Sequence, residues 1–179
     1  MNNHDIEKPG AIPDAIIVMG VSGSGKSSVA RRLAERAGHD FIEGDELHPA
    51  ANVEKMSRGI PLQDEDRWPW LALIGAEIAR HRRAGVVVTC SALKKAYRDR
   101  LRQTAGGSLA FVFLDGSEAL LSARMGHRTG HFMPVSLLQS QLATLERPDG
   151  EPGVVVVDID QSLEAIVEAA LAGLATAFD

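Results

Sequence analysis

Cysteine is almost missing from this chain: Cys90 stands alone among 179 residues. No internal disulfide can form, so a reducing, cytoplasmic setting is the natural expectation. Long hydrophobic runs are missing too. None approaches the ~20 apolar residues of a membrane-spanning helix. The opening "MNNHDIEKPGAIPD" lacks the apolar stretch of a secretory signal and carries acids that a transit peptide avoids. A soluble protein without a membrane partner is expected, with a loose tail over residues 1–13. There is no excess of positive charge either. The formal net charge is −5, so no bulk attraction draws the chain to nucleic acid. The basic clusters at Arg80–Arg83 and Lys94–Arg102 suit solvated helix faces. Internal repeats and low-complexity segments do not occur.

What is present is an ordinary globular balance, 45% hydrophobic and 24% charged, enough for one domain over residues 14–179 with a substantial core. Short apolar runs recur at 15–19, 40–42, 86–89, 109–114 and 154–158. They are continuous rather than alternating, as in strands buried on both faces of a parallel sheet. Helical periodicity lies between them, over 26–37, 66–84, 134–146 and 162–177. The alternation predicts an α/β domain. A long polar segment, 43–65, follows the second run, and long insertions in compact domains are usually functional.

The segment "GVSGSGKS" at 20–27 matches G-x-x-x-x-G-K-[ST], with an apolar strand before it and an amphipathic helix after it. In such a phosphate loop, glycines let successive backbone N–H groups turn toward phosphate oxygens, and the helix N-terminus adds positive partial charge. Gly20, Val21, Ser22, Gly23, Ser24, Gly25, Lys26, Ser27 and Ser28 are therefore the expected nucleotide contacts. Lys26 would reach the β- and γ-phosphates and Ser27 would bind Mg²⁺. ATP with Mg²⁺ is the expected ligand pair.

GTPase signatures are absent, and so is the L-S-G-G-Q of transporters. The third strand ends in "TCSALK", without the acid that often stands there. The end of the second strand, "FIEGDELHP", is the alternative donor, because ligands gather at the carboxyl ends of parallel strands. Asp45 is the candidate base, able also to serve the Mg²⁺ side, while Glu43 and Glu46 read as ordinary polar positions. "SARMGHRTGHFMP" at 122–134 reads as a lid, with Arg124 and Arg128 one turn apart to neutralise phosphate charge and His131 at its tip. Cys90 reads as a packed residue at a strand end, since in-line transfer needs no covalent intermediate.

Beyond the loop, "GDELHPAANVEKMSRGIPLQDEDRWPWL" (44–71), "CSALKKAYRDRLR" (90–102), "GHFMP" (130–134) and "VVDID" (156–160) resemble the bacterial gluconate kinases over nearly the whole chain from about residue 15. The resemblance implies a nucleoside-monophosphate-kinase-like fold with a five-stranded parallel sheet in the order 2-3-1-4-5. It also implies phosphorylation of D-gluconate by ATP with Mg²⁺, a homodimer, and a place in carbohydrate-acid catabolism. A six-carbon acid of this kind asks for cations at its carboxylate and polar groups along its hydroxyls. Arg67, Lys94 and Arg98 are the candidate cations; His48 and the Ser91–Ala92 backbone, read as opening a helix, are the hydroxyl candidates. Each has a plainer alternative: Arg67 could pair with Asp64, and Lys94 and Arg98 could simply cover a helix. A kinase of another hydroxy acid, such as shikimate, and a nucleotide-binding regulator without transfer activity remain the rival readings.

Overall fold

The computed structural model describes residues 11–126 and 135–178. Its elements run β1 (Ala15–Met19), α1 (Lys26–Ala37), β2 (Asp40–Ile42), a 3-10 turn (Gly44–Leu47), α2 (Ala50–Ser57), α3 (Asp64–His81) and β3 (Val86–Thr89). After these come α4 (Lys95–Thr104), β4 (Ala110–Asp115), α5 (Glu118–Gly126), α6 (Val135–Thr144), β5 (Val154–Asp158) and α7 (Leu163–Ala177). The five strands form one sheet in the order β2-β3-β1-β4-β5, and every neighbouring pair is parallel. This is the phosphate-loop kinase type of α/β fold that the resemblance implied.

The continuous apolar runs became the inner strands because helices cover both faces. Every residue of β1 and β3 is buried. Helix α1 lays Val29, Ala30 and Leu33 on the sheet, and α7 adds Ile166, Val167, Ala170 and Leu174. Gly38 closes α1 with φ 68°, a left-handed conformation that glycine adopts without steric cost. At α3 a capping box forms between Gln63 and Asp66, so the helix begins at Asp64 rather than 66. The acids Asp64, Glu65 and Asp66 fill its first turn, where the helix dipole favours them.

The polar segment 43–65 contains the 3-10 turn and α2. Two residues at the end of the expected tail pack against the domain. Ile12 packs on the core, and the Pro13 carbonyl lies 2.9 Å from His39 Nε2.

Candidate active site

The phosphate loop leaves β1 at Gly20 and enters α1 through Gly25, whose φ of 90° is left-handed. Ser24 is buried, and its hydroxyl closes the loop by donating to the Val21 carbonyl at 2.7 Å. Lys26 bends back across the loop, donating to the Gly20 and Val21 carbonyls at 3.0 and 3.1 Å. A cleft opens on each side. One is lined by Ser24, Gly25, Ser28, Arg124 and Gln161. The other is lined by Ser22, Lys26, Asp45, His48, Arg67, Trp70, Ser91, Ser140 and Gln141. The first suits the nucleoside side of the loop, and Arg124 is anchored there by donating to the Ile159 carbonyl at 2.8 Å.

The acid next to Ser27 is Glu43, not Asp45. Ser27 Oγ donates to Glu43 Oε2 at 2.6 Å, and Thr89 Oγ1 donates to the other carboxylate oxygen. The sheet register explains this. Ile42 pairs with Val88, so Glu43 and Thr89 stand side by side at the carboxyl ends of their strands. The acid that β3 lacks is thus supplied from β2. Gly44 follows and must be glycine: a Cβ there would stand 1.8 Å from the Thr89 carbonyl oxygen. Its N–H donates to Thr89 Oγ1 at 3.0 Å. A hydroxyl and a carboxylate at this point form a hard oxygen set that fits Mg²⁺. The reading of Glu43 as an ordinary polar position is therefore corrected.

Asp45 sits in the 3-10 turn with its side chain 65% exposed toward the second cleft. His48 ends that turn and stacks on Trp70, with ring centroids 3.9 Å apart. Its side chain is only 3% exposed. Burial drives its pKa down to about 4, the Asp45 charge opposes the shift, and the Arg67 charge adds to it. His48 is therefore neutral near pH 7. Asn52 sets its tautomer: the amide donates to the Asp66 carbonyl at 2.8 Å and faces His48 Nδ1 at 3.2 Å. Nδ1 then accepts, which leaves the proton on Nε2, 3.9 Å from Asp45. Trp70 holds the arrangement by donating to the Gly44 carbonyl at 2.8 Å.

The three expected cations part ways. Arg67 is 8% exposed in the wall of the second cleft, and its Nε is buried without a hydrogen-bond partner among the described residues. Lys94 pairs with Asp64 at 3.1 Å, where Tyr97 also donates, in an adjoining polar cavity that shares Ser140 with the cleft. Arg98 is not in the site. It is fully buried and spent on Glu151, on the Ala92 carbonyl at 2.7 Å and on the Glu146 carbonyl at 2.9 Å. The Ala92 bond braces a backbone at φ 46°, a costly left-handed conformation for a residue with a Cβ. Ser91 does line the cleft, but the Ser91–Ala92 amides open no helix, because α4 starts at Lys95. Cys90 is buried and inert, its thiol pushed up to about 12 by desolvation. Arg128 and His131, with the rest of the expected lid from 127 to 134, lie outside the described residues.

Sequence reasoning also missed Ser140 and Gln141. They share the cleft-facing side of α6 with Leu137. The periodic leucines of that helix announced its core face, while nothing local marked the polar face as part of a site.

A family model described as an AAA domain matches residues 16–148. A gluconokinase of Gluconobacter oxydans (strain 621H) is 49% identical, with 94% of each chain covered. The thermoresistant gluconokinase of Escherichia coli (strain K12) is 47% identical over 84% of this chain and 87% of its own. The crystal structure of a gluconokinase from Sinorhizobium meliloti 1021 superposes with a TM-score of 0.87 at 63% identity, covering 93% of this chain and 94% of its own.

Proposed function

This chain belongs to the gluconokinase family, and from that premise we propose how its site phosphorylates D-gluconate at the 6-hydroxyl, giving 6-phospho-D-gluconate and ADP. The observation that carries the reading is the convergence of Lys26, Asp45, a neutral His48 and Arg67, whose Nε has no partner among the described residues, on one cleft beside the phosphate loop. Asp45 takes the proton of the attacking hydroxyl. A bond forms between that oxygen and the γ-phosphorus, while the bond from the γ-phosphorus to the bridging oxygen breaks and its electrons leave with ADP. Lys26 offsets charge on the phosphoryl oxygens. Arg67 takes the gluconate carboxylate, and His48 donates from Nε2 to a hydroxyl. Ser91 and, at longer reach, Lys94 provide further polar contacts. Ser24, Gly25, Ser28 and Arg124 hold the nucleotide. Ser27 and Glu43 are the residues that would hold Mg²⁺, which supplies charge neutralisation on the phosphates when bound.

The homodimer implied by the family belongs to the same reading, as does a cytoplasmic location, which the buried thiol of Cys90 supports. The reading is tested by measuring Mg²⁺-dependent ADP release with D-gluconate, shikimate, glucose and nucleoside monophosphates as acceptors. Release with gluconate is expected. Stimulation by shikimate alone would select the rival kinase, and nucleotide binding without any acceptor-dependent release would select the regulator. Sedimentation at micromolar concentration checks the dimer.

A further inference from the structure

The phosphate loop already has an acceptor on one of its amides. Ser22 N–H donates to Gln141 Oε1 at 2.7 Å, across 119 residues of sequence. A backbone N–H can only donate, so the atom of Gln141 that faces it is the oxygen. Ser22 and Lys26 line the cleft that holds Asp45, His48 and Arg67, whereas Ser24, Gly25 and Ser28 line the nucleoside side. The Ser22 amide therefore belongs to the end of the loop where the terminal phosphoryl group meets its acceptor. Gln141 reaches it from α6, a helix seated by the buried Leu137 and Leu138. The end of α6 is tied to the turn after β3, where Glu146 N–H donates to the Leu93 carbonyl at 2.8 Å.

We propose that Gln141 is a placeholder for the terminal phosphoryl group and an orienting residue for the acceptor. Its oxygen occupies the Ser22 amide while the γ-phosphoryl position is empty and yields that amide to a phosphoryl oxygen when ATP binds. The released carboxamide, which both donates and accepts, then faces the cleft wall it shares with Arg67 and Ser91. One hydrogen on Ser22 serves one strong acceptor at a time, so the exchange is competitive. Nucleotide binding thereby delivers a hydrogen-bonding group to the acceptor, and ATP and acceptor bind with positive coupling. The inference rests on the gluconokinase reading above.

The test uses the whole chain with Gln141→Leu, which keeps the bulk and removes the oxygen, and Gln141→Glu, which keeps an oxygen and adds charge. Calorimetry with ADP and with the imido analogue of ATP, each with and without D-gluconate, gives the decisive ratios. In Gln141→Leu the imido analogue binds about two- to tenfold tighter while ADP affinity is unchanged, because one competing hydrogen bond has been removed. In the same variant the KM for gluconate rises about tenfold, and the analogue no longer tightens gluconate binding. Gln141→Glu weakens the analogue more than ADP, since its charge opposes the γ-phosphate. An unchanged ratio of analogue to ADP affinity in both variants would overturn the placeholder. Wild-type coupling in Gln141→Leu would overturn the orienting role. If wild-type enzyme releases no ADP with gluconate, the family reaction fails instead, and the nucleotide ratios still decide the placeholder.

Discussion

Arg98 lies on the buried face of α4 with every guanidinium nitrogen engaged, by Glu151, the Ala92 carbonyl and the Glu146 carbonyl. Arg67, at the head of α3, is nearly as buried, yet among the described residues its Nε has no partner and its one hydrogen bond, to the Leu62 carbonyl, is 3.4 Å long. The regions around them differ in the same way. Around Arg98, Glu151 and the Ala92 and Glu146 carbonyls close on the guanidinium, and the strained turn at Ala92 is braced. Around Arg67, Asp45 faces solvent and His48 Nε2 has only the distant Asp45 carboxylate, 3.9 Å away, among the described residues. A buried donor without a partner costs free energy in the unliganded fold. A ligand carboxylate at Arg67, as proposed above, would offset that cost. On that reading the closed region supports the fold and the open one takes the substrate.

The sharpest way to separate the regions is to remove the base. Asp45→Asn is expected to lower kcat by about 10²–10⁴ with unchanged ATP affinity and denaturation midpoint; near-normal turnover would move the base elsewhere. Next is Arg98→Met. Losing the buried guanidinium leaves Glu151 with Arg102 alone and takes the donor from the Ala92 and Glu146 carbonyls; this should cost about 3–5 kcal/mol of stability in a urea titration, and a loss below ~1 kcal/mol would erase the contrast. Arg67→Met is the mirror experiment. Stability should hold or rise slightly, since an unpartnered donor disappears, while the KM for gluconate rises about 10- to 100-fold as a charged hydrogen bond is lost. Equal damage to stability from both arginine variants would show that the two regions do the same work.

The smallest effect is a slope with pH. His48 has a folded pKa of about 4 against an ordinary 6.5. Between those values the unfolded chain binds more protons, so stability is present above pH ~6.5 and is lost as pH falls toward ~4. His48→Gln should flatten that part of the stability curve, and identical slopes in wild type and variant would contradict the buried neutral imidazole.

Much of this was legible in the chain, and the reason is distance along it. The phosphate loop is eight consecutive residues, Gly20 to Ser27, between a strand and a helix, so its pattern is complete locally. The strands announced themselves because parallel strands are apolar on both faces. Glu43 was passed over because its value depends on standing beside Thr89, which only the β2–β3 register reveals. Arg98 looked like a substrate cation because it lies one turn from Lys94; its true partner, Glu151, is 53 residues away. Gln141 is remoter still from Ser22. Short-range spacing tells which residues share a helix face and is silent about what that face meets.

The placement of Glu43 has a mechanical side. β2 is three residues long and forms the outer edge of the sheet, paired only with β3. An edge strand is the part of a sheet most easily peeled away. Here that strand ends in the carboxylate that grips Ser27 of the phosphate loop. Whatever draws Ser27 and Glu43 together also fastens the rim of the sheet to its centre. Replacing Glu43 by alanine is therefore expected to expose this edge to fraying and proteolysis before the rest of the sheet opens.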